Sequence, residues 1–212
     1  MQSESTDQMS DEQLAVAAQG GSLASFERLV ARLQVALVHF LLRRTRCRAD
    51  AEDLAQEALV RAYRSLERYS PQWRFRTWLF TIAHRLSINF AERSRRERQS
   101  PETLEAAVSN DSNPLERMAS DESRRSLWTI AAERLEQDEV TALWLHYVEE
   151  FSTAEIAEVL GRSRMAVKTI MFRARKRLLP HVRSFVDVDS REKPPSDHSM
   201  KAAQKVLKVA NV

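Results

Sequence analysis

The chain has 212 residues, of which 43% are hydrophobic, enough for two small packed domains or for one with long tails. With 3 Gly and 6 Pro it is poor in the turn residues that a sheet-rich fold needs, and helix formers dominate, so the expected fold class is all-α. Net charge is +3, but the charge is segregated: seven basic residues and no acid lie between Arg162 and Arg177, and six acids face one Arg between Pro101 and Glu122.

In chain order, Ser10 is placed to cap a short helix, Asp11 to Gln19, that stops at Gly20-Gly21. Ser22 opens a longer helix with Phe26, Leu29, Val30, Leu33, Leu37, Phe40 and Leu41 along one stripe. Asp50 is expected to cap a third helix, with Asp53 completing a capping-box-like pair. This helix should run to about Arg68, with Leu54, Ala58, Ala62 and Leu66 inward. Asp53, Gln56, Glu57 and Arg61 fall on its outer side. Pro71 breaks the pattern, and Tyr69 to Phe75 reads as a loop. A fourth helix, about Thr77 to Arg98, turns Leu79, Ile82, Ala83, Leu86 and Phe90 inward.

Aromatic residues crowd the start of that helix and cations follow it: Trp73, Phe75, Trp78 and Phe80, then His84, Arg85, Asn89, Arg93, Arg95, Arg96 and Arg98. Rings beside a basic helix suit stacked single-stranded bases and their phosphates. Trp78 and Phe80 are expected in the core, and Trp73 in the loop is expected against a base. The first domain is thus set at 10–98. The acidic, Pro-containing residues 99–121 have linker composition.

The second domain is set at 122–180, with helices at about Glu122–Leu135, Asp138–Tyr147, Thr153–Leu160 and Arg164–Leu179. Residues 181–212 form a tail. Ser152 and Glu155 make a capping box, Gly161 permits a sharp turn, and Ser163 caps the next helix. Two short helices joined in this way have the pattern of a helix-turn-helix, whose second helix enters the major groove. On that helix Val167, Met171, Ala174 and Leu178 share the core face. Lys168, Thr169, Phe172, Arg173 and Lys176 share the opposite one, and Arg164, Arg175 and Arg177 flank them, where phosphates would lie. An outward Phe172 among cations suits thymine methyls in a groove.

Several chemistries lack their residues. The lone Cys47 allows no internal disulfide and no Cys-rich zinc site, and between Arg46 and Arg48 it reads as an inert thiol. Five histidines lack metal-ligand spacing, and no carboxylate pair or Gly-rich phosphate loop occurs, so no catalysis, cofactor or metal is expected. No apolar run approaches the ~20 residues that span a bilayer and the N-terminus has no signal-peptide core, so a cytoplasmic protein without membrane insertion is expected.

The three patterns occur in a known order. The chain resembles the extracytoplasmic-function (ECF) class of bacterial sigma factors over about residues 10–98 and 122–180. AEDLAQEALVRAYRSL is similar to the family's polymerase-binding segment, FRTWLFTIAHRLSINFAERSRR to its −10-reading segment, and LHYVEEFSTAEIAEVLGRSRMAVKTIMFRARKRL to its −35-reading segment. The resemblance implies that Asp53, Leu54, Gln56, Glu57 and Arg61 meet core RNA polymerase, through its β′ and β subunits. It implies that Trp73, His84, Arg85, Asn89 and Arg93 hold the melted −10 strand. Arg164, Lys168, Thr169, Phe172, Arg173 and Lys176 would then read the −35 duplex. It further implies an anti-sigma factor as inhibitor.

Three positions depart from the family pattern: Arg85 stands where Asn is common, Asn89 where Asp is common, and Ile170 where Arg is common. The alternative function is a helix-turn-helix regulator that never meets polymerase. Such a protein would carry a sensor domain where this chain has the Asp53-Leu54-Ala55-Gln56-Glu57 helix and the aromatic-basic segment.

Overall fold

The computed structural model describes residues 9–45, 47–99 and 127–189. It divides into two compact units, Met1–Asn113 and Pro114–Val212. All regular structure among the described residues is helical. The expected linker, apart from Gln99, and the tail beyond Asp189 lie outside the described residues, as do the first residues of the helix expected from Glu122.

The first unit holds α1 (Asp11–Gln19), α2 (Leu23–Thr45), α3 (Arg48–Arg64), a single 3-10 turn (Leu66–Arg68) and α4 (Phe75–Gln99). In α1, Ser10 accepts from the Gln13 backbone while the Gln13 side chain accepts from the Ser10 backbone, a full capping box. The long helix α2 packs on α1, α3 and α4. Its Phe26, Leu29, Leu33, Leu37, Phe40 and Leu41 are buried, and each such side chain contributes about 1.5–3 kcal/mol. Facing them are Leu54, Ala58, Ala62 and Leu66 from the α3 side and Leu79, Phe80, Ala83 and Leu86 from α4. The alanines of α3 let its backbone come close to α2. Val30, Ile82, Phe90 and Trp78, also expected inside, are half-buried.

The start of α3 corrects the expected cap. The helix begins at Arg48 with Cys47 at the cap position and no side-chain cap bond, so Asp50 lies in the first turn. The preceding turn is organised instead by Thr45, whose hydroxyl donates to the Leu41 and Cys47 carbonyls. Asp50 still favours the helix through the positive end of its dipole. The α-helix stops at Arg64, not Arg68, and the 3-10 turn completes the run.

The second unit holds α5 (Leu127–Arg134), α6 (Gln137–Tyr147), α7 (Thr153–Leu160) and α8 (Arg164–Asp189). Helix α6 is buried along most of its length, and α8 packs against α5, α6 and α7. Trp128 and Trp144 meet edge to face with centroids 4.8 Å apart, and the Trp144 indole donates to the buried Glu149 carboxylate at 3.1 Å. A second correction concerns α8, which does not end at Leu179 but continues through Pro180 to Asp189. Proline inside a helix forfeits one hydrogen bond, costing about 3 kcal/mol or more. The turns preceding it are already set by Val167, Met171, Ala174 and Leu178, so extension past the proline needs no new nucleus.

Candidate polymerase and nucleic-acid surfaces

The helix-turn-helix forms by local rules. Ser152 accepts from the Glu155 amide, and the Glu155 carboxylate accepts from the Ser152 amide. Gly161 turns the chain at φ +62°, a conformation that favours glycine. Ser163 then accepts from the Ala166 amide and starts α8. Val167, Met171, Ala174 and Leu178 are each 1% exposed or less, which fixes the rotation of α8. Arg164, Lys168, Thr169, Phe172, Arg173 and Lys176 are all exposed.

All three flanking cations are engaged within the unit, contrary to expectation, beginning with Arg164, whose Nε donates to the Thr153 hydroxyl of α7 at 3.4 Å. Arg175 Nε donates to the Tyr147 hydroxyl at 2.8 Å, and its guanidinium lies 5.6 Å from the Tyr147 ring centroid. Arg177 donates to Glu139 at 2.8 Å, and that carboxylate is almost fully buried beside the start of α6. A helix-turn-helix wheel separates faces but does not show what α6 presents to them. Met165, which the sequence reading did not single out, stands exposed on the same outer side as Phe172.

In the first unit the exposed side of α3 carries Asp53, Gln56, Glu57 and Arg61. Asp53 and Gln56 line a groove of about 630 Å³ between α2 and α3, together with Val35, Val38, His39, Glu52 and Leu59. Arg61 and Glu57 form an ion pair one turn apart. Leu54 is only 6% exposed, so the expectation that it contacts a partner is corrected: it packs in the core.

On α4, Arg85, Asn89 and Arg93 are exposed at successive turns, an outward row spaced four residues apart. His84 is corrected in the same way as Leu54. It is 3% exposed and its carbonyl accepts from Ser87 Oγ at 2.7 Å, which in turn accepts from Arg44 of α2, so His84 belongs to helix packing. Trp73 projects from the loop at 57% exposure.

That loop is held from outside. Gln19 of α1 donates to the carbonyls of Leu66 and Tyr69, each at 2.8 Å. The Phe75 amide, at the start of α4, donates to Glu12 of α1 at 3.3 Å. The Tyr69 hydroxyl donates to the Trp73 carbonyl at 2.7 Å, and its ring packs on Phe75 and Trp78. Burial, followed by the nearby Glu12 and Asp11 carboxylates, pushes the Tyr69 phenol up to about 12, which keeps it a donor. Trp73 therefore stands on backbone tied at several points. Glu12 and Gln19 left no local pattern by which their part could have been read.

Residues 29–97 match the family model Sigma-70 region 2, and residues 131–178 match Sigma-70, region 4. The ECF RNA polymerase sigma factor BldN of Streptomyces coelicolor is 32% identical over 79% of this chain, which spans 65% of that relative's length. The ECF RNA polymerase sigma-E factor of Escherichia coli K12 is 30% identical over 81% of this chain and 93% of its own. Among solved structures, CnrH in complex with the cytosolic domain of CnrY superposes with a TM-score of 0.59 at 27% identity, covering 82% of this chain and 97% of CnrH. The two matched regions fall within the two helical units just described, one in each and in the same order. The chain belongs to the ECF class of bacterial RNA polymerase sigma factors.

Proposed function

We propose that the first unit binds core RNA polymerase through the α3 side of its groove, and that promoter DNA is read at two places. Asp53 and Gln56 supply the polymerase contact, with Glu57 and Arg61 beside them. Trp73, Arg85, Asn89 and Arg93 hold the melted −10 strand, the ring by stacking and the cations through phosphates. The outer face of α8 reads the −35 duplex in the major groove. The observation that carries this reading is the pairing, within one chain, of an exposed Asp53-Gln56 rim over a buried Leu54-Ala58-Ala62 stripe with a helix-turn-helix whose outer face is cationic. In a regulator without polymerase that rim would be an ordinary solvated helix face, a difference that the substitutions below resolve. An anti-sigma protein is the proposed inhibitor, supported by CnrH, which is held in complex with a second protein's cytosolic domain.

The test is co-purification of core polymerase with the full chain carrying both Asp53→Ala and Gln56→Ala. Both sites are exposed, so the fold should persist while core affinity falls by about 2 kcal/mol or more, the usual cost at an interface hot spot. Undiminished core binding by the doubly substituted protein would remove α3 from the interface.

A further inference from the structure

Among the described residues, the two most exposed large apolar side chains are Met165, at 69%, and Phe172, at 65%. Both stand on α8. At ~100° per residue, positions seven apart lie within ~20° of each other on the helix surface. Thr169 falls on the same line, and its hydroxyl donates to the Met165 carbonyl at 3.1 Å. That bond commits the hydroxyl proton to the helix's own backbone. Met165, Thr169 and Phe172 therefore form an apolar line, continued by Lys176 and bordered by Lys168 and Arg173. The line runs opposite the buried Val167, Met171, Ala174 and Leu178.

The surrounding cations select a polyanion as occupant. A major groove presents one apolar group to a reader, the C5-methyl of thymine. We propose that Met165 is a specificity residue, and that Met165 and Phe172 each pack on one thymine methyl of the upstream duplex. Seven residues rise ~10.5 Å along a helix, and DNA rises ~3.4 Å per step along a strand. A reading helix set at an angle to the groove covers somewhat less, so the two thymines stand about two to three base-pair steps apart. The inference rests on the −35 role proposed for α8 and adds which bases that role selects.

The experiment uses polymerase assembled with the full chain. A duplex library randomised over the upstream element is selected for binding. In the winning duplex each thymidine is then replaced singly by deoxyuridine, which removes one methyl and leaves every hydrogen bond in place. Two such replacements, two to three steps apart, should each weaken binding about fourfold, the loss of one buried carbon. Met165→Ala should abolish the effect at one position and Phe172→Ala at the other. Alanine is a good helix former at an exposed site, so the fold is retained, and a melting curve checks it. Met165→Ala that keeps both uracil penalties would overturn the inference. So would a wild-type protein that selects sequence yet ignores every uracil. A library that yields no upstream preference at all would instead refute the −35 role itself.

Discussion

Arg175 and Lys176 are neighbours in sequence, yet the structure gives them opposite duties. Arg175 is bonded to the Tyr147 hydroxyl and lies over its ring, whereas Lys176 is exposed on the outer line of α8. Removing the Arg175 side chain deletes one hydrogen bond worth about 1 kcal/mol and a cation–π contact worth about 0.5–1 kcal/mol. Arg175→Ala should therefore destabilise the second unit by about 1–2 kcal/mol. For a domain of this size that lowers the melting temperature by roughly 5–15 °C. Lys176→Ala should change stability by no more than about 0.5 kcal/mol. It should instead make the slope of log affinity against log salt shallower by about 0.9, the share of one phosphate contact. The assay pairs calorimetric melting of the full chain with promoter-duplex binding between about 50 and 200 mM salt. If Arg175→Ala shifts the slope by that amount and leaves melting unchanged, the division between committed and free cations on α8 is wrong.

Two further outcomes follow from single residues. Arg85 is an exposed cation in the outward row of α4, and a guanidinium offers donors alone, so Arg85→Asn should alter −10 preference and leave −35 preference unchanged. Selection of active promoters from a library randomised in the −10 element checks this, and identical winners for both proteins would make Arg85 a solvated surface charge. Gly161→Ala should destabilise the second unit by about 1–2 kcal/mol in urea unfolding. The added methyl meets nothing within 4 Å, so the whole cost is that of holding an alanine at φ +62°.

What the sequence disclosed was local. The Ser152–Glu155 box, the left-handed Gly161 and the Ser163 cap each span four residues or fewer, and all appear where the pattern placed them. The core stripe of α8 was equally legible, because four apolar residues at helical spacing leave one rotation available. Misreadings arose where a second element intervenes. Asp50 has the chemistry of a cap, but the Thr45 hydroxyl at the end of α2 had already shaped that turn. His84 has the chemistry of an outward contact, but the packing of neighbouring helices on α4 buries it, and the Ser87 hydroxyl bonded to its carbonyl is tied to Arg44 of α2. Arg175 and Arg177 look like free cations until α6 brings Tyr147 and Glu139 to them. The placement of Trp73 depends on Gln19 and Glu12, which bond to partners 47 to 63 residues away, and no window along the chain contains both ends.

With Trp73 in its proposed −10 role, those bonds bear on how promoter choice could be re-engineered. The segment 69–75 looks like a cassette, short and exposed at its tip, that could be exchanged between related proteins. Its entry, however, is fitted to the amide of Gln19 and its exit to the carboxylate of Glu12. A foreign loop grafted alone would arrive with a carbonyl and an amide placed for a different first helix, and would lose ties that hold its tryptophan. The transferable unit is α1 together with the loop, two stretches that are distant in the gene and joined in the folded domain.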